Sequence, residues 1–392
     1  MAALRVFTRG LAIAKIAILA RILVPAQFGI YGIATIVLGF FETLTETGIN
    51  IFLIQDKQKI DEYVDSAWVV SIIRGVVISL AILLLIPVII AFFHTPGAKE
   101  ILLLVSLVPL IRGFVNPACI KFQKNLEFNK QFFYDSSLFL IDTTVAISVT
   151  FLTHSENSLI WGMIVAAFVE VFLSFIVFLP KPKFLFNGNR VSEVISKGKW
   201  ITSASIFNYI FENADDIFVG RLLGTQALGI YGQAYRIASL PASEVSEVFG
   251  RVTFPVYSVI GGDKKRIRIA FLKTLLIICL FVFSFGAIVF FFPKQIVEIL
   301  LGKNWLTMVP VLQLLAIYGA GKAVSNSFFS MFLGIEKQKI ITLATFIRAV
   351  VLSAGIYPLI TIFGILGAGY AAIISVIASL PFLVYYSWKY LK

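Results

Sequence analysis

Residues 215–241 read DDIFVGRLLGTQALGIYGQAYRIASLP, and the chain carries part of that stretch twice. Residues 21–32, RILVPAQFGIYG, align with 221–232, RLLGTQALGIYG, at an offset of 200. Arg21/Arg221, Leu23/Leu223, Gly29/Gly229, Ile30/Ile230, Tyr31/Tyr231 and Gly32/Gly232 coincide, and Ala34/Ala234 follow. A repeat displaced by half of a 392-residue chain points to duplication of a whole structural unit. The expectation is a molecule of two lobes.

Composition says where those lobes reside. Soluble proteins are about 45–50% apolar and about 25% charged; this chain is 59% apolar and 14% charged, with 38 Phe and a mean hydropathy of +0.94. A water-soluble fold has nowhere to bury that surface, so the chain reads as an integral membrane protein. Cys119 and Cys279 are too few and too far apart for a disulfide framework, and His94 and His154 too few for a haem or histidine metal centre. No metal and no cofactor is expected. The net charge of +12 lies mostly in short loops, where cytoplasmic enrichment in Lys and Arg accounts for it without nucleic acid. A cleavable signal peptide is not expected, because Lys15 interrupts the first apolar stretch.

A helical span needs about 20 apolar residues. The pattern predicts an all-α fold with about twelve spans, at 3–23, 28–54, 66–93, 100–118, 133–153, 158–179, 200–222, 227–258, 269–292, 307–333, 340–362 and 365–388. The linker 181–199, whose second part suits a short surface helix, separates an N-terminal six-helix lobe (1–180) from a C-terminal one (200–392). Placing both termini in the cytoplasm puts Lys121, Lys124 and Lys130, the basic linker, the 264–273 cluster and Lys389 and Lys392 inside. Lys99, Lys294 and Lys303 then lie outside, which is the expected asymmetry. Six spans per lobe make the repeats parallel, related by a pseudo-two-fold axis along the membrane normal. Of the prolines inside spans, Pro241 closes the second repeat and is the one expected to bend for function.

Charges within spans are the candidate site. Arg5, Arg9, Arg74, Arg112, Arg251 and Arg348 fall near cytoplasmic helix ends, where long side chains snorkel to the headgroups. Lys15, Arg236 and Lys322 sit nearer the midplane, where a bare charge costs at least about 2.5–3.5 kcal/mol. They require a polar cavity or acidic partners, for which Glu42, Asp142, Glu170, Asp215, Glu244 and Glu247 are available. Lys15 and Asp215 are equivalent in the repeat; they pair across the axis if spans one and seven face each other, or are buried structural ions. Glu42 with Glu46, and Glu244 with Glu247, are one turn apart on equivalent spans. Two readings fit them, a proton or sodium site and the polar mouth of a cavity, the second being preferred.

A cationic cavity between apolar lobes suits an anionic amphiphile, its charged group inside and its lipid tail in the bilayer. No GxxxxGK[ST] or GxSxG pattern occurs, and Asp215–Asp216 lacks flanking acidic residues for a metal-dependent sugar-phosphate enzyme.

Residues 19–34 (LARILVPAQFGIYGIA), 64–75 (VDSAWVVSIIRG), 215–241, 249–258 (FGRVTFPVYS) and 301–319 (LGKNWLTMVPVLQLLAIYG) carry a resemblance. The chain resembles the polysaccharide flippases of the multidrug/oligosaccharidyl-lipid/polysaccharide exporter superfamily, nearest the O-antigen and teichuronic-acid exporter branch. The resemblance implies a non-enzymatic carrier in a bacterial cytoplasmic membrane. It would move polyprenyl-diphosphate-linked oligosaccharide to the outer leaflet by rocking two lobes about a cationic cavity, for cell-surface polysaccharide. Asp215, Gly220 and Arg221 match the family's Asp…Gly-Arg pattern, and Gly229, Tyr231 and Pro241 its following turn and kink. Lys15 and Lys322 rest on the charge argument alone. Lipid docking sites that depend on two further spans carried by some relatives have no counterpart among the twelve. The competing readings are an ion-coupled exporter of drugs or metabolites, a glycan polymerase or ligase (for which the outer loops are short) and a non-transporting scaffold. A polymerase or other assembly protein is a candidate partner.

Overall fold

At residue 24 the first helix is interrupted. Val24 is extended (φ −88°, ψ 161°) and Pro25, which has no N–H to lose, opens the next helix, so α1 (Ala2–Ile22) gives way to α2 (Pro25–Leu44). The Gln27 side chain accepts from the Val24 N–H at 3.0 Å and closes the turn. Two hundred residues on, the long helix α7 (Gly188–Ile260) breaks at Gly224, whose φ of 82° and ψ of −177° belong to a region open only to glycine. Each repeat copy thus contains the same break, made by proline in one and glycine in the other. Burial keeps the same register, with Phe28, Gly29, Ile33 and Ala34 inside in the first copy and Leu228, Gly229, Gln233 and Ala234 in the second.

The computed structural model describes residues 2–45, 63–184, 188–260 and 263–392. Among these the regular structure is helical, without strands. The other long helices are α3 (Val64–Phe93), α4 (Lys99–Arg112), α5 (Phe128–Thr153), α6 (Asn157–Val177), α8 (Lys264–Phe291), α9 (Val309–Gly334), α10 (Gln338–Phe363) and α11 (Ile365–Leu391). Among the described residues, eight helices are long and apolar enough to cross a membrane; a ninth counts if the pair Pro96–Arg112 and Pro117–Lys124, bent by 75°, is one span. The predicted spans 3–23, 200–222 and 227–258 coincide with α1 and the two arms of α7, which are not in that set. The helix expected at the end of the linker is the start of α7, running without interruption from Gly188 through residue 223.

The chain divides into two compact units, Met1–Asn213 and Ala214–Lys392. In the first, small residues let helices meet backbone to backbone, as membrane bundles require. A Cβ at Gly75 of α3 would lie 2.4 Å from the Pro109 carbonyl oxygen of α4, and one at Gly162 of α6 would lie 2.6 Å from the Asp142 carbonyl oxygen of α5. Buried Asn116 ties the α4 end to the α6 end. Its side chain caps the Ala118 N–H and donates to the carbonyls of Phe178 and Pro180.

In the second unit, Gly367 of α11 packs on the Leu359 carbonyl of α10. A core of Tyr257, Phe271, Phe328, Met331, Phe332, Ala344 and Leu383 joins α7 to α11. A further mark of duplication lies in two loops. Leu126 (φ 58°) and Glu336 (φ 59°) end helices in the left-handed conformation. Around them the same pair of closing hydrogen bonds forms, Leu126 N to Gln123 O with Glu127 N to Phe122 O, and Glu336 N to Leu333 O with Lys337 N to Phe332 O. His94 and His154 likewise cap α3 and α5 in left-handed conformations, which gives both histidines a backbone role.

Candidate functional site

Within the first unit, Lys15 on α1 reaches Asp142 on α5, with Nζ 2.5 Å from Oδ2 and side chains only 13% and 16% exposed. The Phe139 ring lies 6.0 Å below the ammonium. The other carboxylate oxygen of Asp142, Oδ1, is buried without a hydrogen-bond partner in the structure. Lys15 therefore has its acid in its own unit, and the expected pairing with Asp215 is replaced: Asp215 takes Tyr231 instead. Arg112 pairs with Glu170 at 3.4 Å, between α4 and α6. Arg74 does not snorkel; Nε bonds the Thr45 hydroxyl and Nη2 the Glu42 carbonyl, capping α2. Glu42 is thus placed in the last turn of α2, and Glu46 lies outside the described residues.

The second unit holds a larger polar group. Asp215 is buried in the first arm of α7, about two turns before its end, and accepts from the Tyr231 hydroxyl at 2.8 Å. Tyr231, with no exposed surface, is followed one turn later by Tyr235, their ring centroids 6.3 Å apart. From α9, Tyr318 brings its hydroxyl within 3.3 Å of that of Tyr235, and Lys322 donates to the Tyr235 hydroxyl at 2.9 Å. The Lys322 ammonium also lies 5.4 Å and 5.9 Å from the centroids of the Tyr235 and Tyr318 rings. Three donors on an ammonium exceed what one hydroxyl accepts, and among the described residues Lys322 has no carboxylate within ion-pair distance. Cation–π attraction stabilises such a desolvated ammonium by about 2 kcal/mol, without neutralising it.

Asp216 and Gln233 each place a buried oxygen without a hydrogen-bond partner beside this chain of tyrosines. Arg236 projects from α7, exposed and within electrostatic reach of Asp216, as Lys322 is of Asp215. Arg221 is half-buried on α7, three residues before the Gly224 break. The unit thus brings together Asp215, Arg236 and Lys322 from the sequence prediction.

Arg348 was expected to reach the headgroups. It is instead 7% exposed between α9, α10 and α11, with Nε on the Ser379 hydroxyl at 2.9 Å, its guanidinium 5.1 Å from the Phe329 ring centroid, and Nη2 without a hydrogen-bond partner. A bend was expected at Pro241, but α7 continues through it and its non-helical backbone is at Gly224. The side chains of Pro241, Glu244 and Glu247 lie outside the described residues. Sequence reasoning passed over Tyr235 and Tyr318. The available signal was the i,i+4 spacing of Tyr231 with Tyr235 and of Tyr318 with Lys322, which puts each pair on one helix face.

The second unit thus holds an ammonium against one phenol hydroxyl and two ring faces among apolar helices, an arrangement suited to binding an anion. The comparisons with known proteins agree in direction. WzxC of Escherichia coli (strain K12), a lipopolysaccharide biosynthesis protein, is 26% identical over 325 residues, covering 82% of this chain and 66% of its own. ExoT of Rhizobium meliloti (strain 1021), a succinoglycan biosynthesis transport protein, is 25% identical over 346 residues, covering 88% of this chain and 69% of its own. The chain thus spans about two thirds of the length of these curated relatives. The fold is similar to that of the lipid II flippase MurJ in an inward closed conformation, with a TM-score of 0.78, 15% identity, and coverage of 98% of this chain and 86% of that one. Residues 18–310 match the family described as polysaccharide biosynthesis protein. On that match the chain belongs to the polysaccharide biosynthesis protein family.

Proposed function

We propose that the protein is a flippase, moving polyprenyl-diphosphate-linked oligosaccharide from the inner to the outer leaflet of a bacterial cytoplasmic membrane for surface polysaccharide. Two six-helix lobes, 1–180 and 200–392, joined by the linker 181–199, alternate access to a cationic cavity, with twelve spans and both termini cytoplasmic. The observation that carries this reading is Lys322, a charge among apolar helices that is solvated by Tyr235 and Tyr318, with Asp215 in electrostatic reach but no carboxylate at ion-pair distance among the described residues. Such a charge is costly in a bilayer and is retained where an anion comes to it. The helix breaks at residues 24 and 224, in one register, support the two-lobe arrangement. Family membership and the transport role in ExoT's name favour carriage of a glycan precursor over catalysis. A polymerase or other assembly protein is the expected partner.

Complementation tests the reading. The full chain, expressed in a panel of strains each lacking its own glycan flippase, restores surface glycan in at least one. Lys322→Ala and Arg236→Ala, matched for expression, do not. Restoration by both variants would remove the cationic cavity from the account, and restoration in no strain would count against glycan flipping.

A further inference from the structure

Over the outer side of α9, between α8 and α11, runs an apolar groove of about 500 Å³, within the range of small-molecule sites. Ala316, Ala320 and Gly321 form its floor, and Phe283, Phe291 and Ile377 stand along its walls, each more than half exposed. Among the residues lining it, Tyr318 alone carries a polar group. That hydroxyl bonds Tyr235, whose own hydroxyl receives Lys322, so one residue borders both the groove and the cation.

We propose that this groove seats the polyprenyl chain of the lipid-linked substrate, with its diphosphate at Lys322 and Tyr318 at the junction of chain and headgroup. The proposal rests on the flippase reading and adds the path of the tail. Hydrocarbon surrounds the protein, so transfer of a chain from bilayer to groove yields little hydrophobic free energy, and selectivity has to come from contact and shape. A floor of small residues between an aromatic wall from α8 and an aliphatic wall from α11 leaves room for the methyl branches that distinguish an isoprenoid from an acyl chain. The adjoining cation supplies the charge complement that an apolar groove by itself lacks. The whole site is built from α7, α8, α9 and α11 of one unit.

The test uses the full chain in phosphatidylethanolamine/phosphatidylglycerol nanodiscs and a diazirine-bearing polyprenyl diphosphate, with adducts mapped by mass spectrometry. Adducts are expected on 283–291 and 373–380, competed by unlabelled polyprenyl diphosphate and not by added phosphatidylglycerol. A Cβ at Gly286 has the Ala316 carbonyl oxygen as its nearest neighbour, at 3.9 Å, so Gly286→Leu fills the groove without a backbone clash. It should lower labelling about tenfold, as one misfitted side chain does. Leu276→Phe, exposed on α8 away from the groove, should leave labelling unchanged. Ile377→Trp, at an exposed wall position, repeats the test if Gly286→Leu lowers the melting temperature. Adducts confined to other helices, labelling indifferent to the groove variants, or equal competition by phosphatidylglycerol would overturn the groove. Translocation with adducts elsewhere defeats only the groove, whereas groove labelling without translocation defeats only the flippase reading.

Discussion

Gly319 of α9 sits against the backbone of Ala238 in α7: a Cβ at 319 would lie 2.3 Å from the Ala238 carbonyl oxygen. The contact involves main chain on both sides, so no side chain can give way. It holds α9 where Tyr318, the residue before it, and Lys322, about one turn after it, meet Tyr235. Gly319→Ala should destabilise the protein by about 1–3 kcal/mol, as overpacking does, and weaken anion binding with it. Gly355→Ala on α10, where a Cβ would meet only Leu359 at 3.6 Å, should be neutral or slightly stabilising. Thermal melts of the two variants in detergent check this, and equal melting temperatures would contradict it.

The Lys15–Asp142 pair makes a different prediction. Removing one member strands the other ion away from water, so Lys15→Met should cost about 3 kcal/mol, the lower end for a buried pair because both side chains retain some exposure. The double variant Lys15→Met/Asp142→Leu should recover much of that loss. If it also transports, the pair is structural. If it is stable and inactive, Lys15 or Asp142 serves the cycle itself. A double-mutant cycle on denaturant unfolding together with a transport assay separates the two.

Gly224 is the strained point of α7. Its dihedrals exclude a side chain, so Gly224→Ala should cost about 1–3 kcal/mol or straighten the helix. Pro25→Ala, at the equivalent break of the first copy, should cost less, because Val24 before it is in ordinary extended conformation. Comparing the two melting temperatures tests whether the breaks are built differently, as the dihedrals indicate.

How far the sequence reached follows from what each feature depends on. The duplicated RxL…GIYG stretch and the apolar runs are local patterns, and they announced both the helices and the register of the two breaks. The second span was placed from residue 28, although Pro25, whose chemistry acts on its own neighbours, opens the helix three residues earlier. Gly224 was legible only as a glycine; its role came with positive φ. Arg348 was misplaced because distance along a helix from its end does not say which face the residue occupies. Packing by α9 and α11 turns it inward to Ser379 and Phe329. The tyrosine chain was missed because hydropathy reads Tyr as bulk, and its hydroxyl acquires meaning only when α7 and α9 bring 235 and 318 together. Lys15 meets Asp142, one of the six acids the sequence offered, 127 residues away on α5; repeat equivalence had pointed instead to Asp215.

The most direct test of the central claim is translocation by the purified full chain in proteoliposomes carrying a fluorescent polyprenyl-diphosphate glycan, followed by quenching from outside. Wild type should move the inner-leaflet pool outward. Lys322→Ala should slow it about a hundredfold or more, and Tyr235→Phe, which removes one hydrogen bond to a charged group, about tenfold. Unchanged translocation in a correctly folded Lys322→Ala protein would contradict the account, because the anion would then be crossing without the cation placed to receive it.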